Sequence, residues 1–349
     1  MSPLVSILIP AYNAETWIAE TIQSALAQTW PRTEIIIVDD GSPDQTASIA
    51  RRFACKNVFV IQQENQGAAA ARNRAFALSQ GDYIQWLDAD DLLSPDKIAR
   101  QMEAAEKSQN KRILFSSGWG YFMYRPLKAR FVPTPLWCDL SPLEWLLRKW
   151  ERNLHMQTAT WLVSRELTES AGPWDGRLLN NDDGEYFCRV LTASSGVRFV
   201  ADGRVFYRAA GSSRLSDVGY SDKKIEAHFL GMQLQMDRLR SLGDSERVRA
   251  ACLNHLQICL IYFHPGRPDI VQRAQQLAAD LGGELAIPRL RWKYRWMQPL
   301  FGYDLAKRAQ FLLPRIRWFV ESSWDKAMFR LENRRFHSGL NGSQSPSNS

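Results

Sequence analysis

Tyr83-Ile84-Gln85-Trp86-Leu87-Asp88-Ala89-Asp90-Asp91 is the stretch that decides how the chain is read. It opens as a short, mostly apolar run, the pattern of a buried strand. It closes in three carboxylates within four positions. If the backbone stays extended, Asp88 and Asp90 point to one side, because side chains alternate along a strand. Two carboxylates facing one spot repel each other unless a cation lies between them. Hard ions such as Mg2+ or Mn2+ take one or two carboxylates plus substrate phosphates. The plainer reading is a strand end capped by acidic turn residues, with Asp91 leading into a helix near Pro95. The surrounding sequence decides between them.

Upstream, apolar runs alternate with helical patterns. Val5 to Pro10, Ile35 to Val38 and Val58 to Ile61 read as buried strands. Thr16 to Gln28, Asp44 to Phe53 and the alanine-rich Ala68 to Leu78 read as helices, and Pro95 to Ala105 as another. This alternation predicts an α/β fold with a mostly parallel central sheet and helices on both faces. Ligands bind such sheets at the carboxyl ends of the strands. Those ends carry Ala11-Tyr12-Asn13, Asp39-Asp40 and Asp88 to Asp91. Asp39 or Asp40 can accept a hydrogen bond from a nucleotide base. Arg72 can pair with phosphate or shield the acidic cluster. Each also has a plain structural reading, as a turn, a helix cap or a solvated helix face. No GxGxxG follows the first strand and no GxxxxGK[ST] occurs, so the dinucleotide and P-loop fingerprints are missing.

Four segments together resemble glycosyltransferase family 2: VSILIPAYNAETWIAETIQSALAQ, EIIIVDDGSPDQT, QENQGAAAARNRA and GDYIQWLDADDLLSPDKI. The resemblance implies a GT-A fold, Rossmann-like, and a nucleotide-diphospho-sugar donor such as a UDP-sugar. By it, Pro10, Ala11, Tyr12 and Asp39 contact base and ribose, with Asn13 in the same donor loop. Arg72 lies near the nucleotide. Asp88 and Asp90 form the D-x-D motif, with Asp90 as direct ligand of Mn2+ or Mg2+. The implied reaction is inverting transfer to an acceptor hydroxyl.

Beyond the fourth strand, Ile113 to Ser117 reads as a strand and Gly118 to Pro135 mixes aromatic with basic residues, Trp119 among them. Leu143 to Leu147 suggests a helix and Thr158 to Val163 a strand. Asn180-Asn181-Asp182-Asp183-Gly184-Glu185 precedes a helix, where the dipole favours acids on its own. The family resemblance extends here. It implies that Asp183 is the catalytic base, with Asp182 standing where many relatives have glutamate and Glu185 as runner-up. A positioned carboxylate suits that task, because an acceptor hydroxyl is a poor nucleophile until its proton is removed. Gly211 to Ser216 is a candidate lid.

The chain has 349 residues and a formal net charge of +7. No uninterrupted apolar run is long enough to span a membrane, and Met1 to Ser6 has no basic n-region. Its cysteines number five, without CxxC spacing, which favours free thiols in a reducing compartment. A cytoplasmic protein is expected. Residues 289–335 carry twelve Lys or Arg against four acids, interleaved with aromatics. Nucleic acid attracts such a segment, but no nucleic-acid motif accompanies it, and none is expected as a partner. Pro288, Pro299 and Pro314 divide it into short helices suited to lie on the inner face of an anionic plasma membrane. The expected layout is a catalytic domain over 1–215, split near residue 110 into donor and acceptor halves. A helical extension over 216–287, the basic aromatic segment over 288–335 and a disordered tail over 336–349 follow. The expected acceptor is a glycan or lipid-linked glycan. The rival reading is an idle nucleotide-sugar-binding or scaffold protein, which has no need of Asp88, Asp90 and Asp183 together.

Overall fold

The computed structural model describes residues 2–209 and 221–341, with side chains to residue 332 in the last helix. The candidate lid at Gly211 to Ser216 lies outside them, as do residues 342–349.

Strand β1 (Val5–Ala11) leads to α1 (Ile18–Leu26), β2 (Thr33–Asp39), α2 (Thr46–Arg51), β3 (Val58–Gln62), α3 (Ala68–Leu78) and β4 (Tyr83–Trp86). There follow β5 (Leu92–Leu93), α4 (Lys97–Ser108), β6 (Ile113–Phe122), β7 (Arg130–Phe131), α5 (Pro142–Glu151), β8 (Val163–Ser164), α6 (Arg165–Ala171), α7 (Asp182–Ala193) and β9 (Gly196–Arg208). Helices complete the chain: α8 (Asp222–Ser241), α9 (Glu246–Phe263), α10 (Pro268–Asp280), α11 (Trp292–Arg295) and α12 (Gln298–Asn341). The main sheet has the order β3-β2-β1-β4-β8; a second runs β5-β9-β6-β7. In the main sheet β1, β2, β3 and β4 pair in parallel, and only β8 is antiparallel. This is the expected α/β class.

The apolar runs are continuous because both faces of the sheet are covered. Ile7 and Ile9 enter one core with Ile18 and Ile22 of α1. Leu8 faces the other, with Trp86, Trp145 and Trp161. Burying each such aliphatic side chain contributes roughly 1.5–3 kcal/mol. The register sets Ala11 beside Asp39 and Leu8 beside Trp86, so the ends of β1, β2 and β4 form one rim.

Two expectations fail locally. Thr158 to Val163 is not one strand: Thr158–Thr160 is a 3-10 turn, and only Val163–Ser164 pairs in the sheet. The cause is local hydrogen bonding. The Gln157 side chain accepts from the Ala159 N–H at 2.6 Å, and the Thr160 hydroxyl donates to the Gln157 carbonyl at 2.6 Å. Such bonds offer the backbone an alternative to the ladder. Secondly, Pro314 lies inside α12 and does not end it; the non-helical residue is Gly302, at φ 79°. An L side chain is costly at that φ, whereas glycine is not.

The described residues form two units. The first holds 2–120, 131–207 and 221–288, including the main sheet. The second holds 121–130, 208–209 and 289–341. No described helix is long and apolar enough to cross a membrane.

Candidate active site

The two aspartates after β2 divide the work. Asp40 is buried and spends both oxygens on the loop before α3. It accepts from Gln63 Nε2 at 2.7 Å, from the Gln66 N–H at 3.0 Å and from the Gly67 N–H at 2.8 Å. Asp39 is also fully buried, yet only its Oδ2 is used, by the Ser42 N–H at 3.3 Å. Its Oδ1 has no partner among the described groups. A buried acceptor left unpaired costs free energy, so Asp39 is the one with capacity left for a ligand. Beside it Pro10 is half-buried and Ala11 buried, while Tyr12 is half exposed. Asn13 takes a left-handed φ of 51° and donates its N–H to Ser42 Oγ at 3.0 Å.

Strand β4 ends at Trp86, so Asp88 to Asp91 is not extended. The Asp91 N–H closes a turn on the Asp88 carbonyl at 3.1 Å, and the Thr21 hydroxyl pins the Ala89 carbonyl at 2.9 Å. The alternation argument for Asp88 and Asp90 therefore does not apply; the turn presents them, each half-buried. Asp91 points inward and accepts from Gln157 Nε2 at 2.5 Å, anchoring the turn.

Arg72, from α3, joins this turn to the second acidic stretch. Its Nη2 donates to Asp88 Oδ1 at 3.0 Å and its Nη1 to Asp182 Oδ2 at 2.5 Å. The guanidinium lies 4.4 Å from the Trp174 ring centroid, and Trp174 stacks on Tyr186 of α7 at 4.0 Å. Asn73 exchanges two hydrogen bonds with the Trp174 backbone, at 2.9 and 2.8 Å. Burial alone would lower the Arg72 pKa; Asp182 and Asp88 override it and hold the guanidinium charged. Burial raises the Asp182 carboxyl, against the pull of Arg72. Of the two expectations for Arg72, this geometry is the shielding one.

Asp182, Asp183 and Glu185 all lie in the first turn of α7. Glu185 is committed: it is buried and holds Arg189 through both oxygens, at 2.8 and 2.9 Å. Asp183 is half-buried at the mouth of the helix. His155, an exposed ring edge-on to Trp119 at 5.5 Å, is within electrostatic reach of Asp183. The sequence reading missed the Arg72–Asp182 pair and His155. The helix-start acids were the available signal for the first; nothing local marks the second.

For a divalent cation the donor set is two carboxylates. Arg72 engages only one oxygen of Asp88, whose side chain stays 31% exposed. No group of three or more His, Cys, Asp or Glu converges among the described residues. A hard cation that draws most of its ligands from water and diphosphate needs only one or two carboxylates from the protein.

A parallel sheet with an open acceptor oxygen, a carboxylate turn and an acidic helix start on one rim makes an α/β protein with a candidate ligand site at its strand ends. Residues 6–129 of the 349 match the sequence profile Glycosyl transferase family 2. An uncharacterized glycosyltransferase of Rickettsia typhi is 34% identical over 194 residues, which is 56% of this chain and 60% of that protein. TuaG of Bacillus subtilis, named for teichuronic acid biosynthesis, is 43% identical over 104 residues, 29% of this chain and 41% of its own. The chain thus spans less than two thirds of these relatives. The crystal structure of Staphylococcus aureus TarS 1-349 in complex with UDP-GlcNAc superposes with a TM-score of 0.63 at 16% identity, covering 88% of this chain and 91% of that one. At that identity the likeness is one of fold.

Proposed function

We propose that the protein is a metal-dependent, inverting glycosyltransferase that moves a sugar from a UDP-sugar or similar donor to an acceptor hydroxyl in surface polysaccharide or glycolipid synthesis. The observation that carries the reading is the Arg72 bridge. It gathers Asp88 from the fourth strand's end and Asp182, with Asp183 beside it, onto one side chain. TarS with its UDP-GlcNAc and TuaG with its name supply the substrate class by analogy.

In this reading Asp39 Oδ1 accepts from the base N–H, with Pro10, Ala11, Tyr12 and Asn13 framing base and ribose. Asp90 and Asp88 would hold the Mn2+ or Mg2+, which would supply positive charge to the leaving diphosphate. Arg72 keeps the neighbouring acids from repelling each other. Asp183 takes the proton from the acceptor hydroxyl as its oxygen bonds to the anomeric carbon. The anomeric carbon–oxygen bond breaks and its electron pair leaves with the nucleoside diphosphate. Attack from the face opposite that leaving group inverts the centre. A cytoplasmic location, peripheral on the inner membrane face, and a glycan or lipid-linked acceptor complete the proposal.

The test is release of nucleoside diphosphate from a panel of nucleotide sugars, with acceptor extract present. The reading expects turnover of at least one UDP-sugar, abolished by a chelator and restored by Mn2+ or Mg2+. No release from any donor contradicts it.

A further inference from the structure

Helix α12 carries a row of large apolar side chains on its outside. Leu305, Leu312, Ile316, Phe319, Val320 and Trp324 are each more than half exposed, Phe319 at 68% and Trp324 at 69%. At 3.6 residues per turn they fall on one face. Scattered surface hydrophobics need no explanation, but a contiguous apolar stripe marks an interaction surface.

The charges are sorted around that stripe. Arg308, Arg315 and Arg330 project along one edge, all exposed, whereas Arg317 on the other edge is paired with Glu321 at 2.8 Å and Lys326 lies over the Tyr124 ring at 5.6 Å. The acids Asp304, Asp325 and Glu332 fall toward the opposite side. That opposite side is where the helix is held. Arg125 donates to Asp325 at 2.7 Å and to Glu332 at 2.8 Å, and the Tyr124 N–H donates to Asp325 at 2.9 Å. The Phe329 ring meets Tyr124 at 6.3 Å. The acidic side is thus spent within its own unit, and the apolar side faces outward.

We infer that α12 lies flat on an anionic lipid surface through the Leu305, Leu312, Ile316, Phe319, Val320 and Trp324 face. An apolar face bordered by basic residues, in a helix too charged to span, is the composition of interfacial helices. The rings enter the acyl boundary, and the border cations meet lipid phosphates. A second copy of the chain fits less well. Two such faces in contact set the Arg308, Arg315 and Arg330 edges together, while Asp325 and Glu332 are taken up by Arg125 on the far side. This inference deepens the membrane part of the proposed function and needs none of its chemistry.

The experiment is flotation of the full chain with phosphatidylcholine vesicles, with and without phosphatidylglycerol, in the absence of donor and acceptor. Failure of the proposed chemistry therefore leaves the test intact. The full chain floats with the anionic vesicles about tenfold or more better than with the neutral ones, and added salt weakens the binding. Phe319→Glu with Trp324→Glu, and separately Arg308→Glu with Arg330→Glu, each reduce flotation about tenfold. Their thermal melts match the parent because all four side chains are exposed. A parent that stays with the dense fraction, or an apolar-face variant that floats undiminished, overturns the inference. So does a dimer on sizing that Phe319→Glu with Trp324→Glu dissolves without any vesicle binding.

Discussion

Arg72 and Asp182 stand 2.5 Å apart across 110 residues of chain. Both side chains are largely withdrawn from solvent, at 7% and 16% exposure. Removing one partner of such a pair leaves the other charge stranded, which costs far more than an exposed ion pair is worth. Arg72→Ala is expected to destabilise the fold by about 3 kcal/mol. A thermal melt checks this, with a drop of roughly 5 °C or more expected. A melt within 2 °C of the parent, on the order of the assay's resolution, would show that the pair holds nothing together. Arg72→Lys restores charge but not the two-pronged geometry, so it recovers part of the loss.

Asp39 and Asp40 are expected to separate binding from stability. Asp39→Ala removes the unpartnered Oδ1 and, with Oδ2, only the long 3.3 Å bond from the Ser42 N–H, so the fold loses far less than in Asp40→Ala while UDP binds about tenfold or more weakly by calorimetry. Asp40→Ala strands three donors in the loop before α3 and costs about 3 kcal/mol in a denaturant melt. Equal effects of the two variants on UDP affinity would remove the distinction.

A third expectation concerns acid. Glu144 on α5 accepts from Arg247 of α9 at 2.7 Å and from Arg148 at 2.9 Å. Those bonds lower its pKa to about 2 from 4.5. A depressed carboxylate stabilises the fold above its unfolded pKa and loses that contribution as pH falls through the folded one. At neutral pH Glu144→Gln costs about 1 kcal/mol, the scale of a screened surface pair. The gap between variant and parent closes between about pH 4.5 and pH 2. A gap that persists unchanged at the acid end would contradict the linkage.

Much of the fold of the first hundred residues was legible in the sequence alone. Buried parallel strands must be apolar throughout, so β1, β2 and β3 stood out as runs, although β1 runs one residue past Pro10, to Ala11. The polar ends of those strands located the rim. What could not be read was whatever depends on side chains reaching across the chain. Asp39 and Asp40 look alike in sequence, and only the positions of Gln63, Gln66 and Gly67 tell which is spent. Thr158 to Val163 has strand composition, yet the Gln157 side chain turns it. Pro314 looked like a helix end, but a helix can pass through proline by giving up one hydrogen bond. The actual break is at Gly302. Of the two readings of Asp88 to Asp91, extended or turned, the structure has the turn, and nothing at Trp86, neither proline nor glycine, announces where the strand stops.

The central claim is that Asp183 serves as the base while its neighbours hold the site together. The most direct measurement compares Asp183→Asn with the parent in two assays, binding of the UDP-sugar and its transfer to acceptor. The account predicts donor affinity within roughly a factor of three and transfer reduced by about 10²-fold or more. Glu185→Gln, which weakens the pair with Arg189, instead lowers the thermal midpoint. Transfer by Asp183→Asn at the parental rate, alongside an inactive but folded Glu185→Gln, would contradict the account and move the base to Glu185.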